Sequence, residues 1–303
     1  MNGQRSVLIG LVGTGIGPSL TPALHERAAD ELGIRYLYRL LDLDDLRLPP
    51  TAIGAILAAA RLTGYDGLNI THPCKRVVLE HLDEVTPDAA AVGAVNSVVF
   101  TAGKAIGHNT DWSGFARSVA LGLPGACLDR VVLLGAGGAG AAVAHALLTL
   151  GAGLVRIFDL EACHSAALAA SLCARFGADR AAGGRLDNGG HELATALGEA
   201  DGLVHATPTG MAAHPGLPVP AELLRPGLWV ADVVYRPLTT ELVTTARTRG
   251  CRVLDGGGMA VFQAVEAFRL FTGVEPDADR MVRHFASLIA ATTTEGHNAD
   301  ALG

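Results

Sequence analysis

Two short polar segments carry the residue types that could bind a small polyol and move its proton. The first is Asn-Ile-Thr-His-Pro-Cys-Lys at 69–75, and the second is Gly-His-Asn-Thr-Asp-Trp-Ser-Gly at 107–114. Oxidation of an alcohol to a ketone needs a hydride acceptor at the carbon and a group that takes the hydroxyl proton. Lys75 and Asp111 are the candidates for that proton transfer. Whether Lys75 acts as the base or only polarises the oxygen stays open, because burial and a nearby carboxylate shift the proton affinity of a lysine in opposite directions.

A third segment, Gly-Ala-Gly-Gly-Ala-Gly at 135–140, has the Gly-x-Gly-x-x-Gly spacing of a dinucleotide-binding turn. It follows an apolar strand and opens an apolar helix, which is the context that the motif requires. Gly135 permits the tight turn, Gly137 lets the backbone approach a pyrophosphate, and Gly140 lets the helix pack on the strand. The helix N-terminus offers free N–H groups to the phosphates. We therefore expect cofactor contacts at Gly135, Ala136, Gly137, Gly138, Ala139 and Gly140.

An aspartate, Asp159, ends the next predicted strand, 24 residues after Gly135. This distance is close to the offset of about 20 residues at which an acid binds the adenosine ribose hydroxyls. A carboxylate there would repel a 2′-phosphate, so the sequence predicts NAD and not NADP as the cofactor.

Strands and helices alternate through both halves of the chain, which is typical of an α/β protein with parallel sheets. In the first half we expect a parallel sheet with strands at 7–12, 35–41 and 67–70, and a hairpin at 95–100 and 104–107. In the second half we expect a doubly wound sheet with strands at 130–134, 154–159, 202–206, 228–234 and 252–254. The closing helices are expected at 258–271 and 277–290.

The predicted fold is thus an N-terminal α/β substrate domain followed by a doubly wound Rossmann domain that binds NAD. The C-terminal helices are expected to return to the first domain. The expected boundaries are 1–112, completed by 258–303, for the substrate-binding catalytic domain, and 113–257 for the dinucleotide-binding domain.

Composition narrows the class of partner. The 303 residues are 50% hydrophobic and 17% charged, with a net charge of −7 and no run of lysine and arginine, which argues against nucleic acid or a membrane surface. The stretch 131–155 lacks charged residues, but its glycines predict a strand, a turn and a buried helix, not a membrane span. Five cysteines without metal-binding spacing favour a reducing cytoplasm and no metal site. The sequence leaves the oligomeric state open, a homodimer included.

The order of the three segments resembles the shikimate dehydrogenase family, from about residue 10 to about residue 273. The resemblance implies hydride transfer between a nicotinamide cofactor and a ring hydroxyl of a small polyol carboxylate. In this family, paired hydroxyl side chains and a tyrosine hold the substrate carboxylate, and Ser19, Thr21 and Tyr235 match them. Thr21 could equally be only a helix cap, and the two roles are compatible.

Further substrate contacts are expected from amides and a hydroxyl, which donate and accept hydrogen bonds, and from a carboxylate, which accepts them. These residues are Asn69, Thr71, Asn96, Asp111 and Gln263. Ordinary turn or cap duty stays the alternative for Asn96. Gln263 lies four residues after Met259, so both share one helix face and fit a cleft with Met259 against the nicotinamide. Plain surface exposure is the alternative for Gln263.

The segment His205-Ala-Thr-Pro-Thr-Gly-Met211 resembles the loop Asn-Ala-Thr-Pro-x-Gly-Met that lies beneath the cofactor in this family. A histidine replaces the usual asparagine, and we interpret His205 as a strand-end residue with satisfied hydrogen bonds. The cofactor contacts expected in this part of the chain are Thr207, Pro208, Met211, Val234, Gly258 and Met259.

Three departures from the common pattern indicate a branch of the family. NADP-preferring members usually carry Asn-Arg-Thr where this chain has Asp159-Leu160-Glu161. Members with two serines at the carboxylate-binding pair are typically biosynthetic, whereas this chain has Thr21 at the second position and His108 before Asn-Thr-Asp. The combination resembles NAD-dependent quinate/shikimate dehydrogenases. The alternatives are an aminoshikimate dehydrogenase, an NADP-using biosynthetic shikimate dehydrogenase and, remotely, a non-catalytic sensor of NAD or a metabolite.

Overall fold

The computed structural model describes residues 6–187 and 190–300, with side chains up to residue 291. Its strands are β1 Ser6–Gly13, β2 Arg35–Asp42, β3 Gly67–Ile70, β4 Glu84–Val85, β5 Ser97–Thr101, β6 Lys104–His108, β7 Arg130–Leu134, β8 Leu154–Asp159, β9 Ala181–Arg185, β10 Gly202–His205, β11 Trp229–Asp232 and β12 Arg252–Leu254.

Helices separate most of these strands. They are α1 Thr21–Glu31, α2 Leu43–Leu46, α3 Ile53–Leu62, α4 Cys74–Val77, α5 Pro87–Val92, α6 Asp111–Gly122, α7 Gly138–Thr149, α8 Ala162–Phe176, α9 His191–Glu199, α10 Glu241–Thr248, α11 Gly257–Thr272 and α12 Ala278–Asp300. Short 3₁₀ turns lie at Pro50–Ala52, Val78–His81 and Ala221–Leu223.

The second sheet has the doubly wound topology that the sequence predicts. Its six strands are ordered β12-β11-β10-β7-β8-β9, and every neighbouring pair is parallel. The strand order reverses between β7 and β10, so the loops that follow these two strands meet at the carboxyl edge of the sheet. In open α/β sheets this point is where ligands bind.

Apolar side chains point alternately to the two faces of the second sheet, so that a hydrophobic core lies on each face. Val131 and Leu133 of β7 belong to one buried cluster, whereas Val132 and Leu134 belong to the other. Because successive side chains of a strand point to opposite faces, apolar residues at every position require helices on both sides. Each such buried side chain contributes about 1.5–3 kcal/mol to folding. This explains the uncharged stretch at 131–155, which forms β7, a turn and α7 and extends into β8.

The first sheet is mixed, so the expectation of a parallel sheet in this half is only partly right. Its order is β2-β1-β3-β5-β6-β4. The strands β2, β1 and β3 are parallel, and so are β4 and β6, but β5 is antiparallel to both of its neighbours. The reason is the predicted hairpin of β5 and β6, whose tight turn at Ala102-Gly103, with positive φ at both residues, reverses the chain without a crossover helix.

The chain folds into two compact units. The first unit comprises 6–89, 95–110 and 261–300, and the second comprises 90–94 and 111–260. In the second unit the structure adds β9, whose sequence Ala-Ala-Gly-Gly-Arg lacks the β-branched residues that signal a strand. Among the described residues, no helix has the length and apolar character needed to cross a membrane.

Candidate functional site

The turn between β7 and α7 has the backbone geometry that its glycines predict. Gly135 has a φ of +101°, and a Cβ there would lie 2.6 Å from the carbonyl oxygen of Ala206. A Cβ on Gly140 would lie 2.0 Å from the carbonyl oxygen of Gly135, so the first turn of α7 packs on the glycine turn. At Gly137, a Cβ would meet no atom within 4 Å. Open space therefore borders the free N–H groups of α7, which fits a pyrophosphate. Gly138 and Ala139 are the first residues of that helix.

The carboxylate of Asp159, the last residue of β8, is bound to this glycine turn. Its Oδ2 accepts a 2.7 Å hydrogen bond from the N–H of Ala136, and its Oδ1 accepts a 3.1 Å bond from the N–H of Glu161. The Nδ1 of the exposed His164 lies 3.6 Å from Oδ1. Asp159 is thus fixed at the carboxyl edge of the sheet beside the turn, which is where the ribose-binding acid of a dinucleotide site lies.

His205 ends β10 with a partner for each ring nitrogen, which confirms its interpretation as a satisfied strand-end residue. Its Nδ1 lies 2.9 Å from Oδ1 of Asp232, and its Nε2 lies 2.5 Å from Oγ1 of Thr207. Both His205 and Asp232 are fully buried. The following loop carries Pro208 and Met211, which are exposed, and closes with a 2.6 Å hydrogen bond from Gly210 N to His214 O.

The remaining predicted contacts of the second unit lie after β11 and at the start of α11. The N–H of Val234 donates a 3.0 Å hydrogen bond to Oδ1 of Asp232. The half-buried Tyr235 follows directly, before a cis peptide bond at Arg236–Pro237. Gly258 lies in the first turn of α11, and Met259 is buried in the core cluster that also contains Leu133.

In the first unit, Asn69 is held by hydrogen bonds through both of its amide atoms. Its Oδ1 accepts a 2.7 Å bond from the hydroxyl of Tyr38, and its Nδ2 donates to Oγ of Ser97 at 2.9 Å and to the carbonyl oxygen of Asn96 at 3.3 Å. Both amide hydrogens of Asn69 are therefore used inside the protein. The atom left for a ligand is Oδ1, whose second lone pair can accept a hydrogen bond from a hydroxyl.

The side chain of Asn96 anchors the chain around Thr110, which is one of the two roles that the sequence allows. Its Oδ1 accepts a 2.7 Å hydrogen bond from the N–H of Thr110, and its Nδ2 donates a 2.9 Å bond to Oγ1 of the same residue. This reciprocal pair fixes the chain immediately before Asp111, which is buried and begins α6. The backbone of Asn96 also adjoins the 70–75 segment, which carries Lys75.

Lys75 lies on α4, a single helical turn that follows a cis peptide bond at His72–Pro73. The N–H of Val95 donates a 2.8 Å hydrogen bond to the carbonyl oxygen of Lys75, and the N–H of Ile70 donates a 2.8 Å bond to the carbonyl oxygen of Asn96. The two ends of the 70–75 segment are thus tied to the same dipeptide, Val95-Asn96. Lys75 and Thr71 are both half-buried.

The loop that carries Ser19 and Thr21 is fixed by a carboxylate that the sequence analysis missed. Asp42, at the end of β2, accepts hydrogen bonds from the N–H groups of Gly15 and Ile16, at 3.1 and 2.7 Å. Ile16 in turn accepts a 2.9 Å bond from the N–H of Ser19 through its carbonyl oxygen. Asp42 lies opposite Gly13 in the parallel register of β1 and β2. An acid at a strand's carboxyl end beside a glycine-rich loop is the signal that could have revealed it.

Thr21 is not the cap of α1. The helix begins at Thr21, the capping position is Leu20, and no side chain caps it. The hydroxyl oxygen of Ser19 instead accepts a 3.3 Å hydrogen bond from the N–H of Thr21. Ser19 and Thr21 are both half-buried.

Each unit thus contains part of the predicted set of site residues. Ser19, Thr21, Asn69, Thr71, Lys75, Asn96 and Gln263 lie in the first unit, whereas Asp111, the glycine turn, Asp159 and Tyr235 lie in the second. Gln263 is half-buried on α11, and Val261, Phe262, Val265 and Phe268 of the same helix are buried.

All five cysteines are free thiols. Within the described ranges, one group of potential metal ligands comes together, formed by Cys127, Asp129 and Asp201 on the surface of the second unit. Asp201 already accepts a 2.9 Å hydrogen bond from the N–H of Arg130 through Oδ2. The group therefore has a structural role at the start of β7.

Comparison with known proteins agrees with this geometry. The family description "Shikimate dehydrogenase substrate binding domain" matches residues 11–98, and "Shikimate 5′-dehydrogenase C-terminal domain" matches residues 256–284. The chain is 63% identical over 294 residues to the shikimate dehydrogenase (NADP(+)) of Streptomyces avermitilis, covering 97% of this chain and 99% of that protein. It belongs to the shikimate dehydrogenase family.

Relatives with a different cofactor in their names are also similar. The quinate/shikimate dehydrogenase (NAD(+)) of Corynebacterium efficiens is 48% identical over 284 residues, covering 93% of this chain and 99% of that protein. The solved structure of quinate dehydrogenase from Corynebacterium glutamicum in complex with NAD is 46% identical, with a TM-score of 0.87, and covers 93% of this chain and 99% of that one. The fold is therefore that of the shikimate and quinate dehydrogenases, an α/β substrate domain with a Rossmann domain.

Proposed function

We propose that the protein oxidises the ring hydroxyl of quinate or shikimate to the corresponding 3-dehydro acid, with NAD as the hydride acceptor. The observation that carries the proposal is the pairing of two sites on one chain of this family. One unit holds a buried amide, Asn69, beside the Lys75 segment, and the other holds a dinucleotide turn with Asp159 bound to it. We assign substrate binding to the first unit and dinucleotide binding to the second.

The protein's own groups supply binding and proton transfer in this reaction. A bound nicotinamide would supply the hydride acceptor for the carbon that carries the reacting hydroxyl. The proton of that hydroxyl passes to Lys75, or to Asp111 or water while Lys75 holds the oxygen. Ser19, Thr21 and Tyr235 hold the carboxylate. Asn69, Thr71, Asn96 and Gln263 bind the ring hydroxyls.

The choice of NAD rests on Asp159. A pyridine nucleotide is the cofactor named for relatives of both kinds, but the names divide between NADP(+) at 63% identity and NAD(+) at 48% identity. A carboxylate fixed beside the glycine turn accepts hydrogen bonds from both ribose hydroxyls of NAD. It repels the 2′-phosphate of NADP, which carries about two negative charges. We therefore place the chain with the NAD-dependent enzymes.

A second candidate function is supported by one specific observation. The 63% identity to a shikimate dehydrogenase (NADP(+)) favours a biosynthetic enzyme that reduces 3-dehydroshikimate. Both candidates use the residues named above in the same roles, and they differ in the preferred nucleotide and in whether quinate is oxidised.

The test is a spectrophotometric assay of the purified protein with quinate and with shikimate, each with NAD and with NADP. Turnover of both acids with a higher kcat/KM for NAD supports the proposal. Turnover of shikimate alone with a higher kcat/KM for NADP supports the second candidate. Absence of turnover with either acid would overturn both.

The sequence offers a matched control for the proposed proton-transfer residue. It contains two lysines, Lys75 and Lys104. Lys104 is exposed on β6 and paired with Glu84. Lys75→Ala is expected to lower kcat by at least about 100-fold, the usual range for a proton-transfer group, whereas Lys104→Ala should leave it unchanged.

We also propose that the enzyme works in the cytoplasm, because its free thiols suit a reducing compartment. Fractionation of cells that express it tests this location.

A further inference from the structure

A buried chain of side chains links β11 to the loop after β10. Asp232 accepts hydrogen bonds from the hydroxyl of Thr240 at 2.6 Å through Oδ2 and from the N–H of Val234 at 3.0 Å through Oδ1. The same Oδ1 lies 2.9 Å from Nδ1 of His205, and Nε2 of His205 lies 2.5 Å from Oγ1 of Thr207. The chain Asp232–His205–Thr207 lies at the carboxyl edge of the sheet, where β11 and β10 end.

The carboxylate of Asp232 fixes the direction of the first hydrogen bond. A carboxylate only accepts, so Nδ1 of His205 carries the proton that faces Asp232. When the ring is neutral, Nε2 accepts and the hydroxyl of Thr207 donates to it. The oxygen of Thr207 keeps its lone pairs for the N–H of Thr209, which lies at 3.3 Å. His205 therefore sets the rotamer of Thr207 and the start of the loop.

Thr207 is packed against the glycine turn of the candidate cofactor site. A Cβ on Gly135 would lie 3.1 Å from Cγ2 of Thr207 and 2.6 Å from the carbonyl oxygen of Ala206. The other end of the loop touches the same network, because a Cβ on Gly210 would lie 3.3 Å from Cβ of Thr240. Both ends of the 207–210 segment thus lie next to residues that are hydrogen-bonded to Asp232, Thr240 directly and Thr207 through His205.

We propose that His205 is a positioning residue for the nucleotide. With its tautomer set by Asp232, it holds Thr207 against Gly135 and so fixes the spacing between the 207–211 loop and the glycine turn. This inference deepens the proposed function and rests on the nucleotide site of that proposal. Asparagine, the residue usual in the family at this position, is shorter than histidine and cannot reach both Asp232 and Thr207.

The test compares His205→Asn, Thr207→Val and the double variant. Dissociation constants for NADH and NADPH are measured by fluorescence titration without any acid substrate, and KM and kcat are measured for the nucleotide and for the acid. His205→Asn is expected to raise the dissociation constant of the preferred nucleotide about tenfold, the effect of one lost buried hydrogen bond. The KM of the acid should stay within about twofold. Because both residues act as one unit, the double variant should bind no more weakly than the weaker single variant.

Two further variants separate positioning from simple loss of stability. His145→Asn removes another buried histidine of the second unit, which packs between Trp112 and Phe176. It is expected to lower the melting temperature without changing nucleotide binding. Thr207→Ser keeps the hydroxyl that bonds to His205, so it should bind nucleotide more tightly than Thr207→Val. This comparison also decides the matter if His205→Asn fails to fold.

Three results would overturn the inference. They are unchanged nucleotide binding in a folded His205→Asn variant, Thr207→Val that binds like Thr207→Ser, and effects that multiply in the double variant. Each is distinct from failure of the proposed function, which would show as absence of turnover in a wild-type protein that still binds nucleotide.

Discussion

The hydroxyl of Tyr38 donates a 2.7 Å hydrogen bond to Oδ1 of Asn69, and both residues are buried. Because both amide hydrogens of Asn69 are used by Ser97 and Asn96, Tyr38 completes a set of contacts that leaves Asn69 a single orientation. The residue proposed to bind a ring hydroxyl is thus oriented by a tyrosine that need not touch the substrate.

Tyr38→Phe removes this donor and should weaken substrate binding. Loss of a neutral hydrogen bond costs about 1 kcal/mol, so the KM of the acid is expected to rise about fivefold, with the KM of the nucleotide unchanged. Steady-state kinetics measure both. Tyr36→Phe is the control, since Tyr36 lies on the same strand as Tyr38 but its hydroxyl bonds to His25 of α1. An equal rise in KM for both variants would contradict the specific role of Tyr38.

Asp42→Asn should disturb the loop that carries Ser19. The amide nitrogen of asparagine would face an N–H group where a carboxylate oxygen now accepts, at a cost of about 1–3 kcal/mol. The KM of the acid is expected to rise more than kcat falls. Asp44→Asn is the matched control, because the side chain of Asp44 accepts a 3.0 Å bond from the N–H of Gly15 in an exposed contact. A larger effect from Asp44 than from Asp42 would refute the assignment.

Two glycine variants should separate nucleotide binding from folding. At Gly137 a Cβ has room, so Gly137→Ala is expected to keep the wild-type melting temperature while it weakens NADH binding at least about tenfold. At Gly140 a Cβ would clash with the backbone of Gly135, so Gly140→Ala is expected to unfold more easily, by about 1–3 kcal/mol. Calorimetry and NADH titration measure the pair. Normal NADH binding by Gly137→Ala would show that the pyrophosphate lies elsewhere.

A buried histidine should make the first unit sensitive to acid. Burial lowers the pKa of His25 from 6.5 to about 3. Between these values the unfolded chain binds a proton that the folded protein excludes, so stability is full above pH 6.5 and falls as the pH drops toward 3. One such group changes the free energy of unfolding by up to about 1.4 kcal/mol per pH unit.

Denaturant unfolding of the wild type and of His25→Leu between pH 4 and 7 tests this prediction. The variant is expected to be less stable at pH 7, since it loses the 3.0 Å contact of His25 with Tyr36, but its stability should depend less steeply on pH. His191→Leu, which removes an exposed histidine, is the control. Parallel pH profiles for the wild type and His25→Leu would show that His25 is not the cause.

The elements that sequence could predict are those in which one local pattern decides the structure. The bounds of β3, β7, β8 and β12 agree with their predicted ranges, because short apolar runs between glycines or polar residues mark buried strands. The glycine turn was predictable for the same reason, since the spacing of three glycines describes one continuous stretch of backbone. In the hairpin, a glycine after Ala102 marks the reversal.

The parts that could not be predicted depend on residues far apart in the sequence. Asp42 contacts Ile16, which precedes it by 26 residues, and Tyr38 contacts Asn69, which follows it by 31 residues. Such pairs are set by the parallel register of β1 with β2 and β3 and leave no local periodicity. The mixed first sheet was missed because alternation of strands and helices does not give the direction of the last strands.

The contact between Asp159 and Ala136 has a consequence for how cofactor preference can change during evolution. The carboxylate that we propose to select NAD also supplies the acceptor for a backbone N–H of the glycine turn. Replacement of Asp159 by a residue without a side-chain oxygen would abolish the selectivity for NAD and would also loosen the glycine turn. Asparagine keeps one carbonyl oxygen for Ala136 and drops the negative charge. A lineage could therefore change its preference from NAD to NADP through one intermediate, which carries the uncharged asparagine at position 159. An arginine for the phosphate could be acquired later.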